Sequence, residues 1–188
     1  MTMKFTEFKE FSILCDVVAQ EISNDKICGW FVDKSEFGPR SLGFRSILAD
    51  ARQANIKDRL NRIKGREMFR PVAPIILESE VSNWFDIDRP SPYMLLSAKI
   101  LEHQKNKVLG IVHKDNTARI QTVNEKQNYK VYSLLWTYYN LTGVPLLVNT
   151  SFNGPGESIV ETPSDALNTF KKIDLDILVI ESFLFKKE

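Results

Sequence analysis

The chain has 188 residues and a mass of 21.6 kDa, 43% hydrophobic and 26% charged, ordinary globular usage that excludes wholesale disorder and suffices for a real core. Twenty-five Lys plus Arg against 24 Asp plus Glu leave a net charge of +1, which excludes a globally basic nucleic-acid binder and an acidic tail protein. Two cysteines, Cys15 and Cys28, each among apolar neighbours, exclude a disulfide framework or a Cys-rich metal site.

From the amino terminus, Phe8, Phe11, Cys15, Val18 and Ile22 recur at helical spacing and predict an amphipathic helix ending near Asn24 and Asp25. Residues 27–32 are an apolar run of strand length, followed by a loop over 36–43 that holds Gly38, Pro39 and Gly43. A second helix is expected over 53–63, with Ile56, Leu60 and Ile63 on one face, and Pro71 and Pro74 prevent its continuation. Strands are expected from 75–77, over 93–100, and over 117–123, where polar and apolar residues alternate. Residues 129–141 read as a helix closed by Gly143, which tolerates positive φ. Residues 144–148 form a buried-strand run, Pro163 opens a helix through Lys172 with Thr162 as its N-cap, and 177–185 close the sheet. Strands interleaved with helices argue an α/β fold, and without repeat or linker the chain reads as a single domain over 1–188. No apolar run reaches membrane-spanning length, and residues 1–10 lack the pattern of a signal peptide, so a cytoplasmic location is expected.

Charge is unevenly spread. Residues 34–70 hold ten basic residues and four acids, a balance of +6 that leaves −5 for the rest. Lys57, Arg59 and Arg62 suit a solvated helix face, but Arg40 and Arg45 sit in the Gly/Pro loop, where backbone approaches a ligand closely. Lys64, Arg66 and Arg70 fall where a helix end runs toward a strand. Guanidinium forks favour bidentate contact with phosphate or carboxylate, so polyphosphate fits better than a membrane surface. Two further stretches are polar: 113–121, with His113 and Arg119, and 149–154, with Asn149, Ser151 and Asn153, beyond the apolar run 144–148. Ligands gather beyond the carboxyl ends of strands in α/β sheets. The plainer alternatives are a turn at 149–151 and a satisfied structural histidine at 113. His103 and His113 lack metal-ligand spacing, and neither GxxxxGK[ST] nor GxSxG occurs.

Together these stretches resemble the carboxy-terminal domain of the NodU/CmcH-type O-carbamoyltransferases. The matching segments are Glu36-Phe37-Gly38-Pro39-Arg40-Ser41-Leu42-Gly43-Phe44-Arg45-Ser46-Ile47-Leu48-Ala49-Asp50, then 61–74, 113–123, 142–153 and 163–170. The resemblance implies a YrdC-like fold, an open, twisted, mixed α/β sheet with flanking helices and a basic concave surface. It implies a Lys-x-Arg pair at Lys64-Gly65-Arg66 and a Ser-x-Asn pair at Ser151-Phe152-Asn153 around a nucleotide. The implied reaction makes carbamoyl adenylate from carbamoyl phosphate and ATP, with Mg²⁺ arriving on the nucleotide and no structural metal. An amino-terminal transferase domain or subunit, absent from these residues, then completes transfer to a hydroxyl, and activity can depend on it. On this reading Lys64, Arg66 and Arg70 hold the triphosphate, and Lys64, Arg70 and Ser151 are the catalytic set. Arg40 and Arg119 hold the carbamoyl phosphate or its products, Asn149, Ser151 and Asn153 orient phosphate oxygens and the carbamoyl group, and His113 contacts substrate or nucleotide. Three positions depart from the family's habit: Asn116 for Gly, Ser41 for Ala, and Ser158 for Pro. Two alternatives stand beside this reading. One is a basic YrdC-like RNA-binding module, which the near-neutral net charge disfavours. The other is a threonylcarbamoyl-adenylate synthase, against which the Glu-Phe-Gly-Pro-Arg and Asn-Thr-Ser-Phe-Asn segments argue.

Overall fold

In the computed structural model, which describes residues 3–187, the first half of the chain runs β1 (Met3–Glu7), α1 (Phe11–Ser23), β2 (Cys28–Phe31), β3 (Arg45–Ala49), α2 (Ile56–Ile63), β4 (Ala73–Leu77) and α3 (Val81–Trp84). The second half runs β5 (Leu96–Lys99), β6 (Thr117–Val123), α4 (Tyr129–Thr142), β7 (Leu146–Ser151), α5 (Pro163–Lys172), β8 (Ile177–Ile180) and β9 (Phe183–Lys187). The described strands form one mixed sheet in the order β1-β9-β8-β2-β3-β7-β4-β6-β5. Neighbours are antiparallel except β2 with β8 and β4 with β6.

Strands β2, β3, β4 and β8 are buried at every residue. Near-continuous apolar runs of this kind belong to a sheet covered on both faces. Trp30 of β2 meets the Phe11 ring of α1, and α1 packs along α4. Gly29, on the opposite face of β2, lies against Phe152, Leu175 and Leu178, while α5 packs on β2 and β8. The buried apolar side chains join into one cluster running from α1 through the sheet to Leu184 of β9. Both cysteines lie in it unpaired, and burial pushes both thiols up, which leaves them inert. No helix of the described residues is long and apolar enough to cross a membrane.

The helix ends follow their local chemistry. The Asn128 side chain caps α4 by accepting from the Val131 N–H, and Gly143 closes it at φ 72°. Thr162 and Asp165 form a capping box on α5, with Pro163 in its first turn. Strands depart more from the expected pattern. Four of the five residues of β1 are exposed, so it carries no apolar alternation to read. The glycines and proline just upstream disguise β3. The expected closing strand over 177–185 is a hairpin, β8 and β9, turned at Glu181 with φ 53°. Residues 93–95 are loop, with Met94 at φ 56°, so that strand starts only at Leu96. β7 runs on through Asn149, Thr150 and Ser151, which excludes the turn reading of those residues.

Candidate active site

The site is built on one row of side chains across β6, β4 and β7. Asn149 is paired with Ala73, and Gln121 with Ile75, so Arg119, Ala73 and Asn149 stand side by side on one face. Alanine between two long side chains leaves a hollow. The result is a cleft of about 90 Å³ lined by Pro39, Arg40, Ser41, Arg66, Pro71, Val72, Ala73, Met94, Arg119, Asn149, Thr150 and Ser151. Three separate segments thus each deliver one guanidinium, and no carboxylate lines the cleft.

These cations work against each other. Burial, then the charges of Arg70 and Arg119, hold Arg66 below the usual guanidinium range. Burial and Arg40 do the same to Arg119. Burial, with Arg66 beside it, pushes Lys64 down to about 7. Arg66 Nη2 and Arg119 Nε are buried without a protein partner. Mutually repelling, partly dehydrated donors gain most from a bound polyanion, which both neutralises them and satisfies their N–H groups. Asn61 aims Arg66, accepting from its Nε at 2.6 Å while donating to the carbonyls of Met68 and Arg70.

Lys64 joins the two halves of the site. Its Nζ lies 2.7 Å from the Ser151 carbonyl, 3.1 Å from Ser151 Oγ, 3.3 Å from the Asn153 carbonyl and 2.6 Å from Asn153 Oδ1. Ser151 Oγ donates to Asn153 Oδ1 at 2.7 Å. The Lys-x-Arg and Ser-x-Asn pairs are therefore one hydrogen-bonded unit. Gly65, between Lys64 and Arg66, has φ +56°, and a Cβ there would stand 3.0 Å from the Pro155 ring.

The Arg40 loop is held from below. Glu36 Oε1 accepts from the backbone N–H groups of Leu42, Phe44 and Arg45 at 2.5, 3.2 and 3.2 Å. Arg45 points away from the cleft, donating to the carbonyls of Val32 and Asp33, with its guanidinium over the Phe31 ring. Asn149 donates to the Ser41 carbonyl at 3.1 Å and to Gln121 Oε1 at 2.7 Å, and Gln121 in turn donates to the Leu42 carbonyl at 3.0 Å. Both amide protons of Asn149 are thus committed inside the protein, where they fix the loop.

Two expected residues stand apart. Arg70 is exposed and paired with Glu67 at 2.7 Å, close enough to repel Arg66 but outside the cleft lining. His113 lines a separate cavity of about 600 Å³ with Phe69, Pro71, Val72, Ile111 and Val112. Pro71 and Val72 are walls common to that cavity and the cleft. Burial holds His113 below the usual imidazole range, and its Nε2 has no protein partner. Ser41, Ala73, Gln121 and Thr150 do not stand out in the sequence as site residues. The even spacing of Arg119 and Gln121 along an alternating strand is the signal that points to Gln121. Among the described residues no group of three His, Cys, Asp or Glu could hold a metal ion.

A family described as carbamoyltransferase C-terminus matches residues 19–187. The nodulation protein NolNO of Sinorhizobium fredii is 42% identical over 181 residues, covering 92% of this chain. The chain spans 27–32% of the length of the first curated relatives it matches. Among solved structures, Escherichia coli YciO superposes with a TM-score of 0.65 at 16% identity, covering 91% of this chain and 78% of that one. Full-length HypF in its phosphate- and nucleotide-bound form superposes with a TM-score of 0.62 at 19% identity, covering 95% of this chain and 22% of HypF. At such identities the two superpositions establish the fold, YrdC-like as expected, and nothing further.

Proposed function

The chain belongs to the carbamoyltransferase family, as its C-terminal-type domain, and from that premise we propose that it forms carbamoyl adenylate from ATP and carbamoyl phosphate. The observation that carries this reading is the meeting of Arg40, Arg66 and Arg119 in a carboxylate-free cleft, beside a lysine bonded to the Ser-x-Asn pair. Water splits carbamoyl phosphate to carbamate and phosphate. A carbamate oxygen then attacks the α-phosphorus of ATP, the bond to the α,β-bridging oxygen breaks, and pyrophosphate leaves. The protein makes no covalent bond in this; it positions anions and stabilises charge as it develops.

In the proposed complex Lys64 and Arg66 hold the triphosphate, with Arg70 at the mouth, and Arg40 and Arg119 hold the acyl phosphate or the adenylate. Ser151 and Asn153 orient Lys64 and phosphate oxygens, Asn149 keeps the Arg40 loop in place, and Mg²⁺ arrives on the nucleotide. The larger cavity beside His113 has apolar walls suited to the nucleoside. Residues 1–188 act as a single domain in this reading, with the continuous core in support. The hydroxyl acceptor is handled by a transferase domain or subunit. Phe37, Met68, Phe69, Tyr93 and Leu95 are exposed on the three loops that rim the cleft, an apolar collar of the kind a partner covers.

Incubation with ATP, Mg²⁺ and carbamoyl phosphate should release pyrophosphate. Lys64→Ala should lower the rate at least about 10²-fold while the variant still folds, as circular dichroism would show. Wild-type release by that variant would overturn the assignment. Release that needs threonine and bicarbonate instead of carbamoyl phosphate would move the chain to the threonylcarbamoyl branch.

A further inference from the structure

Glu157 touches nothing in the cleft, yet its bonds converge on the loop that carries Asn153. Its Oε2 accepts from the Gly154 N–H at 3.1 Å and from Thr169 Oγ1 of α5 at 3.0 Å, and its Oε1 accepts from Lys172 Nζ, also of α5, at 2.8 Å. Its backbone carbonyl accepts from Asn153 Nδ2 at 2.6 Å. That last bond decides which way the Asn153 amide faces. With Nδ2 turned to Glu157, Oδ1 is left for Lys64 Nζ and Ser151 Oγ, at 2.6 and 2.7 Å. The fit is close: a Cβ on Gly154 would stand 2.9 Å from Glu157 Oε2. Lys172, Gly154 and Thr169 together hold the Glu157 carboxyl below its ordinary range, so it is ionised when it makes these bonds.

We propose that Glu157 is a positioning residue of the adenylation site, anchoring the Asn153 loop to α5 so that the Asn153 amide oxygen meets Lys64. The proposal rests on the adenylation reading of the cleft, but part of its test does not. Glu157→Ala should lower the turnover number for pyrophosphate release about 10²-fold, with less effect on the KM for ATP, because the misplaced group acts in the transition state. Glu157→Gln still offers an oxygen to Gly154 and Thr169 and should recover most of the rate. Lys172→Met removes only an exposed ion pair and should behave as wild type.

The second readout needs no nucleotide. The Lys64 ammonium, followed by heteronuclear NMR, should titrate at about 7 in the wild type, with Arg66 its charged neighbour and Ser151 and Asn153 its polar ones. In Glu157→Ala water reaches Lys64 through the loosened loop, and its titration should move upward. Unchanged turnover with an unchanged Lys64 titration would overturn the proposal, whatever the variant does to stability. Should Glu157→Ala fail to fold, Thr169→Val keeps the buried shape, cuts one anchor and should shift Lys64 in the same direction. If the wild type releases no pyrophosphate, the adenylation reading fails while the Lys64 titration still decides whether Glu157 controls the loop.

Discussion

A lysine that burial and Arg66 have brought to about 7 binds fewer protons in the folded chain than in the unfolded one between that value and the ordinary 10.5. Stability therefore rises with pH across this window, since the unfolded state holds the extra proton. Urea midpoints of the wild type should climb from pH 7 to 9 more than those of Lys64→Met. A bound polyphosphate restores the proton and flattens the difference. Charge and amide side chains single out Arg40, Lys64, Arg66, Arg119, Asn149 and Asn153, and the resemblance adds the pairing with Ser151; the same reading also singles out Arg45, Arg70 and His113, which fall outside the cleft. Gln121 shows only through its even spacing from Arg119, and Glu157 stays hidden, since what matters in both is a partner: Asn149 lies 28 positions from Gln121, and Thr169 lies 12 from Glu157. Two departures from the family's habit find local reasons. Asn116 takes φ 63°, the left-handed region that a usual glycine there suggests and that asparagine tolerates. The Ser41 hydroxyl donates to Asn149 Oδ1 at 3.3 Å, adding a bond to the loop anchor.

At the scale of elements, the Arg40 loop depends on Gly43. That residue has φ +96°, and a Cβ on it would stand 2.8 Å from Val131 Cγ1 of α4. Its carbonyl accepts from Trp30 Nε1 and Asn128 Nδ2, at 3.1 Å each. Gly43→Ala should cost about 1–3 kcal/mol by denaturant unfolding and weaken nucleotide binding as the loop shifts. Elements with strong ends are legible in the sequence: α4 through Asn128 and Gly143, and α5 through Thr162 and Pro163. Strands are legible where both faces are buried and the run is apolar throughout, as in β2, β4 and β8, but not in β3, which opens on Arg45 and Ser46 behind a Gly/Pro loop. They escape notice where one residue decides, such as Glu181, whose positive φ turns the stretch 177–185 into a hairpin.

The whole molecule separates its charge so that a nearly neutral chain presents one strongly cationic hollow. Interleaving of strands and helices points to the α/β class, but not to the strand order: β7 sits between β3 and β4, partners that precede it by about a hundred and about seventy residues. A compact nucleotide site should select ATP over RNA and hold that preference with added salt. Thermal stability should rise with ATP by about 2.7 kcal/mol at a hundredfold excess over Kd. A log-log salt slope of many units with RNA, and no ATP effect, would instead describe a groove that tracks nucleic acid.

The pairing of β1 with β9 couples the opposite ends of the described chain, Met3 beside Lys187 and Glu7 beside Phe183. Of the described strands β1 is made first and β9 last, so β1 waits for nearly the whole described span before it finds its neighbour. Until then the Phe5 ring, which ends up beside Phe183 and Phe185, has no aromatic company. This margin of the sheet cannot close until residues 183–187 are present, and truncation before β9 should leave β1 without a partner strand, which hydrogen exchange over residues 3–7 would show.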